Sequence, residues 1–448
     1  MTILYTTLLC CSLLSLFQFR AFAFSPVKYP QFHGPSNAAS NKHRLSPLSS
    51  SSSSSSSATQ ENTEDPLEEL DQTRKKNLYQ CLLRDLQIEG VPLLECDAAQ
   101  AHILQAALWT TMAELSDQDE GQKVCLVLEN IGVDALRTFV DDFLVLKTQT
   151  RLMDHLPELQ RFSINVVGKG AGPAMVIETA NKTSTGSSDT QFPNYQESKV
   201  NAAMKSFIGR LVVSEQLCPY TKSPCKAPEG LEALNVKPGQ IGYRYCGFPD
   251  CCHVLSSFWN CICEMLSVPD TQLGSVVLSM PAIGDNNKPN DKDHARFSAM
   301  AELISRSLCL FRGDDVFETL HFYRNYDRDK VFPADSPAHG HLPPLDWLRP
   351  MLRQSGNFQE ADNLSDNDLR LSNYQRRSPF AAVVIKRVGH FEVLAGSANE
   401  IIDLELDDGR IEKASGVPTY AKNAIQLAMA GEQTLSSGLD SEVEMGRS

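Results

Sequence analysis

The chain has 448 residues, 42% of them hydrophobic, and a formal net charge of −14. Its length and apolar content suffice for a sizeable core and about two domains. So acidic a balance argues against a generic nucleic-acid binder and against attachment to anionic lipid, since both require a basic surface.

In chain order, the first two dozen residues read as a secretory signal peptide. They are apolar from Ile3 to Leu16 and close on the small residues Ala21 and Ala23. That run is shorter than the roughly 20 residues of a membrane-spanning helix. From Met1 to Gln60 there is no Asp or Glu; serine runs unbroken from Ser49 to Ser57, and Arg20, Lys28, Lys42 and Arg44 carry the charge. A positive, Ser-rich, acid-free stretch has the composition of an organelle transit segment. The stretch Ala21-Phe22-Ala23-Phe24-Ser25-Pro26 resembles the cleavage motif of diatom-type plastid precursors. The expectation is a signal peptide over 1–23, a plastid transit segment over 24–60 and delivery to the chloroplast stroma. A secreted protein with a Ser-rich linker would leave the missing acids unexplained.

A mainly helical α+β module is expected over 67–181. Leu78, Leu82, Leu83 and Leu86 keep helical spacing, as do Ile103, Ala106, Ala107 and Met112, and Leu136, Phe139, Phe143 and Leu146. Val124–Leu128 reads as a buried strand. Phe162–Val167 and Ala174–Glu178 read as strands around the run Gly168-Lys169-Gly170-Ala171-Gly172-Pro173. That run lacks the Gly-Lys-Ser/Thr ending of a phosphate loop and no helix follows it, so it predicts a hairpin turn.

A polar linker over 182–199 leads to a second module over 200–431. Its expected elements are a helix at Ala202–Leu217, a strand at Tyr243–Gly247 and a helix at Asp250–Met265. They continue with a strand at Ser275–Met280, a helix at His294–Leu310, a strand at Val316–Tyr323 and a short helix at Leu345–Arg353. A strand at Ala381–Val388 and a helix at Tyr420–Ala430 complete the set. Alternation of this kind predicts an α/β domain, a small and mostly parallel sheet flanked by helices. The polar stretch 432–448 reads as a disordered tail, and no internal repeat is evident. No segment after the leader is apolar for long enough to span a membrane.

Seven cysteines crowd together at Cys218, Cys225, Cys246, Cys251, Cys252, Cys261 and Cys263, without a CxxC pair or usual zinc spacing. Cys251, Leu255, Phe258, Ile262 and Met265 share one helical stripe, which favours core packing over a metal site. Neither a dinucleotide fingerprint nor a haem or cluster spacing identifies a cofactor.

Four segments gather polar residues: Leu217–Tyr220, His321–Asp327, Asp335–Pro344 and Ser372–Phe380. Ligands of α/β sheets collect outside the carboxyl ends of the strands, and the first three of these segments are expected to meet at such an edge. Leu217-Cys218-Pro219-Tyr220, the strand Ser275–Met280, the strand ending at His321, Asn373-Tyr374 with Arg377-Ser378-Pro379-Phe380, and Lys422-Asn423-Ala424 carry a resemblance. Over about 200–431 the chain resembles the bacterial family catalogued as domain of unknown function 1415, which implies a domain but no reaction.

Cys218 and His321 are the candidate catalytic residues, a thiol that needs a neighbouring base or positive charge to become reactive. Tyr323, Arg324, Asn373, Arg376 and Arg377 are the candidate ligand-binding residues, the arginines suited to a small anionic ligand. His339 and His341 pose either a metal pair with Asp335 or a locally hydrogen-bonded loop. Two function classes stay open. One is a soluble plastid protein with a ligand-binding or catalytic pocket; the other is a non-catalytic assembly factor whose N-terminal module docks a protein partner.

Overall fold

A computed structural model describes residues 91, 93–118, 121–168, 173–180, 195–218, 221–227, 239–283, 291–335, 338, 340–389 and 400–447. The leader, the helix expected around Leu78–Leu86, Gly170 and Gly172 of the glycine run, Pro219, Tyr220 and His339 lie outside the described residues.

The N-terminal half builds β1 (Leu93–Asp97), α1 (Ala101–Ser116), β2 (Lys123–Glu129), α2 (Val133–Lys147), α3 (Thr150–His155), β3 (Phe162–Val167) and β4 (Ala174–Thr179). β1 runs parallel to β2, while β4 is antiparallel to both β2 and β3. The six-pair β3–β4 ladder is the hairpin that the glycine run predicted. Side chains alternate between faces, as strand geometry requires. Leu126, Leu128, Met175 and Ile177 enter the main core; Cys125, Val127, Ala174 and Val176 form a small cluster on the other side.

The C-terminal half begins with α4 (Glu197–Phe207), which continues as a π-helical turn over Ile208–Ser214. Next come β5 (Gln240–Tyr245), α5 (Cys251–Ser267), β6 (Leu273–Ser279), α6 (Asp291–Leu310) and β7 (Phe317–Phe322). The short helices α7 (Leu348–Gln354), α8 (Phe358–Asn363) and α9 (Asp366–Arg370) precede β8 (Ala382–Arg387). A two-stranded ribbon, β9 (Ile402–Glu405) and β10 (Ile411–Ala414), leads to α10 (Val417–Ala430) and α11 (Glu432–Arg447). Asp250 caps α5 by accepting from the Cys252 and His253 amides. The stripe from Cys251 to Met265 is buried as its spacing implies.

The mostly parallel sheet is not what forms. Only β5–β6 is parallel; β8 lies antiparallel between β6 and β7. Strand–helix alternation implies parallel crossovers only where one helix carries the chain back across the sheet. Residues 323–381 instead leave β7 and return beside it, so β7 and β8 pair as a widely interrupted hairpin. The stretch expected as a disordered tail is α11: Leu435, Leu439 and Val443 recur at intervals of four and are buried, and Arg210 of the π turn makes a bidentate pair with Glu442. Its net polarity hid an amphipathic stripe.

A repeat that is invisible in the residues is plain in the strands. The two sheets share one topology, β1-β2-β4-β3 and β5-β6-β8-β7, each with a parallel first pair, two antiparallel pairs and a six-pair hairpin ladder. Trp109 and Trp259 each stand nine residues after the N-cap of the first helix, at Gln100 and Asp250, and both are buried. These two equivalent helices pack antiparallel. Asp117 at the end of α1 meets His253 at the start of α5 (3.3 Å), and the Cys263 thiol reaches the His102 carbonyl. Thr110 joins Ser256 and Asn260 at the crossing. Apolar faces accept many sequences of similar volume, so a fold can repeat without a readable sequence repeat.

Truncating Leu435 to alanine leaves a cavity beneath α11. The expected loss is about 2–5 kcal/mol in urea unfolding; a change within about 0.5 kcal/mol would show that α11 is not docked.

Candidate functional site

β5, β6 and β7 point their carboxyl ends at one edge of the second sheet, and β8 starts there. The polar segments meet at that edge through named bonds. Tyr323 N–H donates to the Arg376 carbonyl (3.0 Å), and Arg377 Nε donates to the Tyr326 carbonyl (3.1 Å). Arg328 N–H donates to Asn373 Oδ1 (2.9 Å), and His321 N–H donates to the Gly340 carbonyl (3.1 Å). Asn423 Nδ2 of α10 donates to the Leu217 carbonyl (3.0 Å) and to Gln375 Oε1 (2.8 Å). These bonds hold Leu217, Asn373, Arg376, Arg377 and Asn423 at or beside this edge.

The sheet nevertheless separates the two candidate catalytic groups. His321 pairs with Val383, and its side chain shares the α5/α6 face with Thr319, Val383 and Ile385. It is fully buried, with Nε2 against Ser305 Oγ (2.9 Å) and its ring 4.9 Å from that of His341. Cys218 follows the π turn on the α4/α11 face, beside Leu217 of the second apolar cluster, and its sulfur accepts from Thr221 Oγ1 (3.2 Å). The imidazole and the thiol do not meet.

On the His321 face, Tyr323 stacks on Phe297 (4.5 Å between centroids) and lies edge-on to His294. Tyr326 is fully buried; its hydroxyl accepts from Leu342 N–H and lies 3.2 Å from His341 Nδ1. Burial pushes the Tyr326 phenol up to about 12, against the Leu342 amide and the Arg376 and Arg328 charges. Burial also drives His341 well below the usual imidazole range, and His321, Arg328, Arg376 and His294 add to the effect. Arg328 is itself fully buried, donating to the Leu342, Val331 and Pro333 carbonyls. Asp335 is exposed. Among the described residues no three His, Cys, Asp or Glu side chains are placed to hold a metal ion.

The arginines differ in state. Arg324 is already bound to Asp440 of α11 (3.0 Å). Arg377 lies 4.5 Å over the Tyr374 ring, and Arg376 lies 5.3 Å over the Phe322 ring. Among the described residues neither Arg376 nor Arg377 pairs with a carboxylate, and the buried Nε of Arg376 has no acceptor. The neighbouring Gln375 Nε2 and Asn423 Oδ1 are buried and unmatched as well.

Sequence reasoning passed over Lys386. It lies on the α4/α11 face of β8 and bonds Glu318 across the ladder (2.9 Å), with 13% of its side chain exposed. Burial lowers its pKa; Glu318 opposes that, Arg376 reinforces it and the Cys218 sulfur opposes it, so all three lie within electrostatic reach of the amine. A lysine directly after the apolar run Ala381–Ile385, within the expected strand Ala381–Val388, was the available signal. Gln375, Tyr326 and Arg328 were likewise not singled out, having no spacing that marks them, and Asn423 entered only through the resemblance, without a role.

No family model, no curated protein and no solved structure matches the chain.

This packing has two measurable consequences. At Gly340 (φ +75°) an added Cβ would fall 2.3 Å from His321 Cδ2 and 2.8 Å from the Thr319 carbonyl. Gly340→Ala should therefore cost at least about 2 kcal/mol in chemical denaturation, and a neutral result would mean that the loop does not close on His321. His341, held neutral when folded, takes up a proton on unfolding below its ordinary value of 6.5, so stability is lost as pH falls through that value. His341→Gln should make the loss between pH 7 and 5.5 smaller by about 1 kcal/mol; an identical loss would remove His341 as its source.

Proposed function

We propose that the carboxyl edge of the second sheet binds a small organic anion, with Arg376 as its first contact and Arg377 beside it. The observation that carries this reading is the guanidinium of Arg376, part-buried, without a carboxylate partner among the described residues and with an unmatched buried Nε. A buried charge is costly unless paired, and a chain with 55 acids and 41 basic residues has no shortage of partners to offer. Leaving this cation unpaired is intelligible if a ligand completes it. Planar guanidinium donors match carboxylate and phosphate oxygens. Gln375 Nε2 and Asn423 Oδ1 would then read a further acceptor and donor on the same molecule.

Several features support a setting for this activity without specifying a reaction. The acid-free, Ser-rich leader supports a plastid location. The resemblance to the domain of unknown function 1415 family supports treating the edge as the working part, because Leu217, Asn373, Arg377 and Asn423 of its motifs gather there.

Calorimetric titration with small mono- and dicarboxylates and phosphate monoesters tests the proposal. At least one compound should bind, and Arg376→Gln should weaken it by about tenfold or more, roughly 1.4 kcal/mol. If no compound binds more tightly than about 1 mM, or if the variant binds as the parent does, the reading is wrong.

A further inference from the structure

The crossing of α1 and α5 repeats its geometry but not its chemistry. Counted from the N-caps Gln100 and Asp250, His253 of α5 answers to Ile103 of α1, and Asp117 at the end of α1 answers to Ser267 at the end of α5. One end of the crossing thus sets an imidazole against an acid where the other sets isoleucine and serine. His253 Nδ1 bonds Asp250 Oδ2 on its own helix, and Nε2 lies 3.3 Å from Asp117 Oδ2 across the repeats. The ring is stacked on Phe248, 4.0 Å between centroids and 15° between planes. At the other end burial alone acts on His102 and takes its imidazole down to about 4.

We propose that Asp117, His253 and Asp250 form a pH-sensitive latch between the two repeats, closed while the imidazole carries a proton. The latch does not depend on the anion site. A carboxylate only accepts, and a neutral imidazole has a single N–H, so the neutral ring serves one acid and the imidazolium serves both. Asp250 lies on the same helix and already caps it through the Cys252 and His253 amides. The single N–H of the neutral ring therefore stays with Asp250, and Asp117 is left facing a lone pair. Around this triad stand Cys252 on α5, Cys246 before it, Glu114 one turn before Asp117 on α1, Glu158 and Arg161 on the helical turn Pro157–Arg161, and Arg296 on α6. Glu158 pairs with Arg296 (2.6 Å), and Arg161 donates to the Ser116 carbonyl (3.5 Å). Burial raises the thiols of Cys246 and Cys252, so neither supplies an anion near neutrality. Burial also opposes the charge on His253; the Asp250 and Asp117 carboxylates outweigh it and hold the imidazole above its ordinary 6.5. The contact is fully present below 6.5 and is lost as pH rises through the folded value, the reverse of His341. The loop that carries Phe248 also bonds the end of β6, Cys246 N–H donating to the Ser279 carbonyl (2.8 Å), so the closed latch fixes α1 against one corner of the carboxyl edge.

Amide hydrogen exchange on the full chain tests this, run from about pH 5.5 to 8.5 and corrected for the intrinsic pH dependence of exchange. The His253 ring resonances are followed by NMR in parallel. The ring should titrate above 6.5. Across that titration, protection in the last turn of α1, Ala113–Ser116, should fall by about threefold, the size of a partly exposed ion pair. Asp117→Ala removes the acceptor across the repeats, and His253→Gln keeps a donor for Asp250 without the titration. Each should abolish the step, with protection in α10 and the unfolding midpoint reporting on the rest of the fold. A ring that titrates at or below 6.5, protection in α1 that is level across the titration, or a step that survives in Asp117→Ala overturns the latch. If neither variant folds, the ring titration and the exchange step of the parent chain decide: both present sustain it, and either one missing ends it.

Discussion

The β7–β8 ladder is the constraint on which the rest of the site depends. Six consecutive pairs, from Phe317↔Arg387 to Phe322↔Ala382, bring the two ends of residues 323–381 side by side at one edge of the sheet. Once those ends are fixed, the segment between them has to fold back over the edge, and its backbone groups need partners there. Many are found across the ladder: Tyr323 bonds Arg376, Met280 bonds Ala381 and Arg328 bonds Asn373. Register in a half-buried strand resists slippage, because a shift of one residue would send Phe317 and Ile385 to the wrong face. The same resistance holds Arg376 at the lip of the sheet, where its charge is felt by Lys386 on one face and by His341 on the other.

The first repeat gives this arrangement its rigidity. α1 and α5 pack along one another, with Trp109 and Trp259 buried at matching positions, and one continuous core joins the inner faces of both sheets. Trp259 donates to Ser307 of α6 (2.9 Å), tying the central pair to the helix that also carries His294 and Ser305. Arg296 of α6 adds a second tie, reaching Glu158 and the His155 carbonyl of the N-terminal half. The residues proposed to hold the anion therefore sit mainly between β7 and β8 of the second repeat, and the first repeat braces its helices. Sites built on elements locked by packing hold their geometry better than sites on free loops.

Much of this was legible in the residues, and the rest was hidden for physical reasons. Helical spacing and apolar runs located most of the described strands and long helices, because burial of one face imposes a period. Strand direction was not legible, since periodicity says nothing of which way a buried strand runs. β1 was missed as a short run, and α11 because three leucine and valine positions are diluted by acids and serines. A meeting of the Leu217, His321–Asp327 and Asp335–Pro344 segments at one edge was expected; that the Asn373–Phe380 and Asn423 segments bond to Leu217 and Arg328 there was not. Part of that bonding passes through Gln375 and Asn423, whose amides carry no pattern.

Strand alternation explains both the failure of the thiol–imidazole pair and the appearance of the amine. His321 and Phe322 are neighbours in sequence, so their side chains leave the sheet on opposite sides. Proximity of His321 to the carboxyl edge, read from the chain, therefore carried no information about proximity to Cys218. Lys386 stands one residue from Ile385, which puts its amine on the Phe322 side, where Arg376 covers the ring and the chain emerging from the π turn delivers Cys218. The π-helical stretch ends at Ser214, and Leu217, whose carbonyl bonds Asn423 of α10, follows it on the α4/α11 face with Cys218 next in the chain. An acidic chain has thus concentrated cations at one edge, and parity along β8 sets the face on which Lys386 stands.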